Sequence, residues 1–241
     1  MIRWSILALL ALAAQAAHGA EADVATYTAT YRVVYKGKEA GTAEFGVRYL
    51  AEQDVYEFRS SVMAKGMLKL VRPNPAVERS QFRVDESGIR PVRFWYEDGS
   101  RSGEDNFEIA FDWQRRVATV SGAEARRELA LPETALDRGS LQVALMRELA
   151  ATGAVRTLRL ADEDGIVEYE YTDNGTATMP TGLGIVATRV LTQQRVGSSR
   201  ITSLWVAPEL RFLPVRIEQR RDGEVQTAFE LVNVKGLSAD H

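Results

Sequence analysis

The sequence contains no cysteine and only two histidines, His18 near its start and His241 as its last residue. Without thiols no disulfide can staple the fold, so stability must come from packing. A body without histidine excludes Ser-His-Asp and Cys-His nucleophile systems. The same two absences exclude thiolate and imidazole sites for zinc or copper. Acid–base work by Asp, Glu, Lys or Tyr survives, as do glycosidase-type carboxylate pairs and all-oxygen calcium sites. Blocks of one charge are also missing. The 30 Lys and Arg stand against 33 Asp and Glu, interspersed, for a net charge of −3. Nucleic acid is therefore not an expected partner. Lysine is confined to Lys36, Lys38, Lys65, Lys69 and Lys235. The remaining cations are arginines, whose planar fork suits carboxylates and phosphates; a bias in base composition explains the same excess.

One long apolar run is present, at the N-terminus. Arg3 precedes an apolar stretch from Ile6 to Ala14, and small residues from Ala14 to Ala22 offer cleavage sites. This is the layout of a secretory signal peptide over residues 1–20, with the cut between 16 and 22. The run is shorter than the ~20 residues a membrane span needs, and Gln15 interrupts it. An uncleaved N-terminal anchor is the alternative. The expected product is a periplasmic protein of a Gram-negative bacterium: one β-rich domain over 21–241, with no membrane span after cleavage and an oligomeric state left open.

Period-two alternation dominates the rest and marks strands with one buried face. Tyr27, Ala29, Tyr31, Val33 and Tyr35 alternate with Thr28, Thr30 and Arg32, and a turn at Lys36-Gly37-Lys38 leads into Ala43, Phe45, Val47 and Tyr49. Further strands are expected over 56–60, 77–84, 89–96, 107–113, 116–120, 167–171, 185–193, 200–206, 214–219 and 227–234. Asp173-Asn174-Gly175 and Arg221-Asp222-Gly223 read as tight turns. One main helix is expected near 138–151, with caps offered by Asp137, Gly139 and Ser140 and a stop at Gly153. Residues 66–71 read as a loop or helical turn, and 122–136 as a loose connection. The fold class is mainly β: a single curved antiparallel sheet or open β-barrel of about a dozen strands around that helix.

A sheet with one apolar face needs something to cover it. A curved sheet closes around that face and leaves room for a greasy ligand, whereas an ordinary core is filled by its own side chains. Candidate pocket-lining residues are Met63, Met67 and Leu68, a flexible apolar patch; Phe94 and Tyr96, flanking Trp95 in a run where one ring must face out; and Trp205, in the densest aromatic segment. Core packing is the alternative for each. Asp162-Glu163-Asp164-Gly165 and Glu104-Asp105 read as solvated turns, since a calcium loop needs spacing they lack. Gly182-Leu183-Gly184 precedes a strand rather than a helix, and Ser140 serves better as a cap than as a Ser–Lys nucleophile. No catalytic residue, cofactor or metal is expected.

Several short motifs occur in a recognisable order. They are Tyr31-Arg32-Val33-Val34-Tyr35-Lys36-Gly37, Ser87-Gly88-Ile89-Arg90-Pro91, Asp137-Arg138-Gly139-Ser140-Leu141, Thr181-Gly182-Leu183-Gly184 and Trp205-Val206-Ala207-Pro208 leading to Leu213-Pro214-Val215-Arg216. In this the chain resembles the exported bacterial proteins grouped as domain-of-unknown-function family 3108, which implies no established activity. The last hairpin is more weakly similar to one in the periplasmic lipoprotein carriers LolA and LolB and the regulator RseB. That likeness implies an open curved sheet around helices, with acyl chains or peptides in the hollow. Three functions follow as expectations: a non-catalytic binder of a lipophilic ligand or lipidated partner, an envelope scaffold acting through protein contacts, or a carboxylate-based glycan hydrolase.

Overall fold

Alternation fixes which face of each strand is buried. In β1 (Tyr27–Tyr35) the side chains of Tyr27, Ala29, Tyr31 and Val33 are buried, while Thr28 and Arg32 are exposed. Tyr35 sits at the turn and is exposed instead of following the series. The computed structural model describes residues 24–122, 126–155 and 157–237. The signal-peptide reading falls on residues 1–23, outside the described residues.

From β1 the chain meanders outward through β2 (Lys38–Leu50), β3 (Val55–Ala64), β4 (Ala76–Asp85), β5 (Gly88–Glu97), β6 (Phe107–Asp112), β7 (Val117–Gly122) and β8 (Arg126–Ala130). It then crosses to the opposite edge as β9 (Ala135–Leu136) and enters the helix α2 (Arg138–Thr152). It returns through β10 (Leu158–Asp162), β11 (Gly165–Thr181), β12 (Gly184–Arg195), β13 (Arg200–Ala207), β14 (Leu213–Arg221) and β15 (Glu224–Lys235). The helical turn α1 (Leu68–Val71) lies between β3 and β4.

The result is one 15-stranded open sheet, with β8 and β9 as its edges and β1 paired to β15 in its middle. The β9–β10 pair is parallel and the other neighbours are antiparallel. Residues 131–134 link the two edges, so the sheet must curl until they approach. β9 lies against β5, and Phe94, Phe107, Ile109 and Val120 close onto Leu131, Ala135 and Ala161.

α2 crosses the concave face. Its N-terminus is tied to the sheet: the Asp137 carboxylate accepts from the backbone of Gly139 and Ser140, each at 2.9 Å, and from Ser80 Oγ at 2.8 Å. Ser140 Oγ accepts from Asp137 N at 2.8 Å, which completes a capping box. Gly139 is required there, because a Cβ would stand 2.6 Å from Phe58 Cδ1 and 2.7 Å from Ser80 Cβ. Leu141, Val143 and Met146 join the main core, while Leu145 and Leu149 pack on Leu191, Leu204 and Val206. A left-handed Gly153 ends the helix.

Three expectations differ from the structure. The stretch read as a loose connection holds the edge strands β8 and β9, and β10 joins the series, so the strands outnumber those expected. Asp173-Asn174-Gly175 is a bulge inside β11 rather than a hairpin turn. There Asp173 accepts from Gly175 N at 2.9 Å and Asn174 donates to Thr192 Oγ1 at 2.8 Å, which lets the strand continue. The turn falls at Gly182-Leu183 instead.

Candidate functional site

Antiparallel order puts the β3–β4, β10–β11, β12–β13 and β14–β15 connections at the same end of the sheet. Below that end, between α2 and the concave face, lies a cavity of about 810 Å³. That is within the range of ~300–1,000 Å³ for small-molecule sites. Leu141, Gln142 and Leu145 of α2 line it from below, and Tyr169, Tyr171, Leu204, Ile217 and Phe229 from the sheet.

Strand register sorts its wall into bands. Leu191, Leu204, Ile217 and Phe229 are successive cross-strand partners from β12 to β15. Two residues along each of β12, β13 and β14, the partners are Gln193, Thr202 and Gln219. Two further on come Arg195, Arg200 and Arg221, with Arg200 opposite Arg221. All nine residues of the last two bands and of the trio Leu204, Ile217 and Phe229 line the cavity. Depth is thus apolar, the middle offers amide and hydroxyl groups, and the mouth is cationic on the β12–β14 side. The turn Asp162–Asp164 lines the other side of the mouth.

A charged cluster sits beside the helix start. Arg138 binds Asp162 at 2.7 Å and Glu78 at 3.5 Å, and its guanidinium lies over the rings of Tyr96 (5.4 Å) and Phe107 (5.3 Å). Burial works against the Arg138 charge, but Asp162 and Glu78 outweigh it and hold the group charged. Burial pushes the Glu78 carboxyl up, with Arg138 pulling it part of the way back. Burial likewise raises Tyr171, whose hydroxyl accepts from Gln193 Nε2 at 3.1 Å. Among the described residues no group of three or more acidic side chains is placed to hold a metal ion.

Of the six residues singled out from the sequence, Tyr96 lines this cavity. Phe94 is fully buried in the separate cluster under β5–β7. Met63 follows the lining residue Val62 on β3, and alternation turns it away. Met67 and Leu68, 84% and 42% exposed, belong to the helical turn at the mouth end and face outward. Trp205 packs against the main core, with the Arg216 guanidinium 5.7 Å above its ring. Trp95, the outward ring, has the guanidiniums of Arg79 and Arg93 at 4.6 Å and 5.1 Å from its centre. The arginine and amide bands are not among the sequence expectations, although a signal exists. An aliphatic residue, Gln or Thr, and Arg recur at alternate positions in 191–195 and 217–221, and in reverse in 200–204.

The model of the family described as "Protein of unknown function (DUF3108)" matches residues 26–229. No curated protein matches the chain. Among solved structures, a β-barrel-like protein of family DUF1849 from Brucella abortus is similar, with a TM-score of 0.52 and 11% identity over 89% of this chain and 99% of that one. It shares the fold. MucB, also solved in complex with MucA(peri), has a TM-score of 0.37 and 12% identity over 92% of this chain and 57% of its own. The likeness to LolA and LolB is not shown by these matches. Among the described residues no helix is long and apolar enough to cross a membrane.

Proposed function

We propose that this chain, which belongs to the DUF3108 family, is a non-catalytic periplasmic binding protein that holds a lipophilic ligand in the hollow of its curved sheet. The observation that carries the reading is the cavity of about 810 Å³, floored by Leu141 and Leu145 and walled by Leu204, Ile217 and Phe229. Its own helix crosses beneath this space without filling it. The N-terminal sequence supports export, and a greasy cargo that must cross water needs such a shelter. Native mass spectrometry of protein purified without detergent tests this: an adduct released by organic solvent is expected. Protein that arrives empty, and that takes up no alkyl probe, would sink the proposal.

Glu78 and Asp162 favour a second reading, glycan hydrolysis, because both carboxylates line the same cavity. Arg138 engages both, which suits a structural cluster better than an acid with a free partner. Turnover of chromogenic glycosides that is lost in Glu78→Gln would put the enzyme reading first.

A further inference from the structure

Three exposed arginines, Arg195, Arg200 and Arg221, gather at the mouth of one cavity. Several arginines of the sheet are matched to carboxylates: Arg32 to Glu230 at 2.5 Å, Arg48 to Glu57 at 2.6 Å, Arg93 to Glu108 at 2.8 Å and Arg189 to Asp173 at 2.5 Å. Arg59, opposite Arg79 on the outer face, has no ion pair among the described residues, but no cavity opens beside it. Among the described residues Arg195 and Arg200 have no ion-pair partner within 4.0 Å. Arg221 reaches only Asp222, at 4.0 Å and with both side chains well exposed. Glu224 stands opposite Arg221 in the β14–β15 register without forming an ion pair. Like charges opposite one another destabilise a sheet, and Arg200 and Arg221 are direct cross-strand partners. What sets this row apart is its place: all three guanidiniums border the cavity, where an anion that the chain itself does not supply could meet them.

Resting on the lipophilic-ligand reading, we propose that the ligand is an amphiphile with an anionic head group. Its alkyl chain lies on Leu204, Ile217 and Phe229, and its phosphate or carboxylate sits on Arg195, Arg200 and Arg221. The order of the bands fixes the direction, tail inward and head at the mouth. Guanidinium forks suit either anion, with bidentate charge-assisted hydrogen bonds. Gln193, Thr202 and Gln219 lie between head and tail, where an ester or amide linkage would need hydrogen bonds. The acidic turn Asp162–Asp164 repels an anion from the far side of the mouth, so the head is confined to β12–β14.

The test is isothermal titration of the purified protein with dodecyl phosphate, laurate, dodecanol, dodecyltrimethylammonium and inorganic phosphate. The anionic amphiphiles should bind at least about tenfold more tightly than dodecanol, with the cation weakest. The comparison of laurate with dodecyl phosphate tells a carboxylate head from a phosphate head. In R195Q/R200Q/R221Q that preference should shrink to within about threefold while dodecanol binding persists. The single variant R200Q should lose part of it, and circular dichroism should show the sheet intact in both. Equal binding of all four alkyl probes by the wild type would overturn the anionic head group and leave the lipophilic-ligand reading standing. Inorganic phosphate that binds as tightly as dodecyl phosphate would overturn the amphiphile in favour of a free-anion site. Binding of none of the probes would overturn both readings.

Discussion

The two flanks of the sheet meet the same demand in opposite ways. Under β5–β7 the concave face is filled by its own side chains, because the far edge comes across to cover it: β9 lies on β5, and Leu131 and Ala135 complete the cluster. Under β12–β15 no edge comes across. There α2 covers the face together with the β11–β12 turn, whose Gly182 N–H donates to Leu231 O at 2.9 Å, and the space above the helix stays open. Coverage separates the cases, since β5 at 10 residues is longer than β13 at 8 or β14 at 9. A hollow arises where the strands extend past the elements that cover them, and that uncovered length is where polar and then charged residues take over.

The largest effect that would break this contrast is a truncation on each flank. Phe94→Ala should cost about 3–5 kcal/mol in urea unfolding, as for a large side chain removed from a closed core. Ile217→Ala, whose neighbour is open space, should cost about 1–2 kcal/mol. Equal losses would mean that the hollow flank is filled after all.

Next comes Asp137, the anchor between the flanks. Burial lifts its carboxyl to about 6, against the pull of the hydrogen bonds from Ser140, Ser80 and Gly139. Its folded value lies above its unfolded one, so the native state binds the extra proton between about pH 4 and 6. The contribution of this group therefore grows as pH falls through that window and is lost as pH rises, by at most about 3 kcal/mol. Asp98, Asp173 and Glu230, held below the ordinary carboxylate range, act in the opposite sense. Asp137→Asn keeps a capping acceptor, which isolates the effect. The wild type should gain on the variant between pH 7 and pH 4 in urea titrations. A difference that stays flat would place the Asp137 titration elsewhere.

Gly139→Ala should cost about 1–3 kcal/mol, since its Cβ must displace Phe58 or Ser80 and so lift the helix from the sheet. A thermal midpoint no lower than that of the wild type would contradict the tight seating of α2. The smallest effect belongs to α1: Met67→Ser with Leu70→Ser should change stability by less than about 0.5 kcal/mol, as both side chains are largely exposed. A larger loss by urea unfolding would show that this segment closes over the cavity.

What could be read in advance follows the same division. β1 and β2 were legible because Tyr27, Ala29 and Tyr31, or Ala43, Phe45 and Val47, alternate against polar residues on a half-buried surface. β8 was not, because an edge strand exposed along most of its length carries no alternation. β10 has only five residues, with Leu160 and Ala161 buried in succession, which hides the period. The curved sheet with one helix was readable from the pattern as a whole. The cavity wall was not, since Gln193, Thr202 and Gln219 look like an ordinary wet face until strand register sets them in one row beside Leu204 and Ile217. Composition drew attention to Met67 and Leu68, but which way a connection turns depends on tertiary anchors. Arg72 holds this one by bonding Asp98.

The pairing of the first strand with the last has a consequence in time. Thr28 meets Lys235, and every other antiparallel neighbour is adjacent in the chain. As the chain folds, β1–β8 can zip up hairpin by hairpin, a run of local contacts that closes quickly. Throughout that interval the free edge of β1 lies bare, a template for any passing strand. Only β15 covers it and joins the two halves. The cavity wall is completed only by that pairing, because Phe229 of β15 lines the cavity and the same strand covers β1.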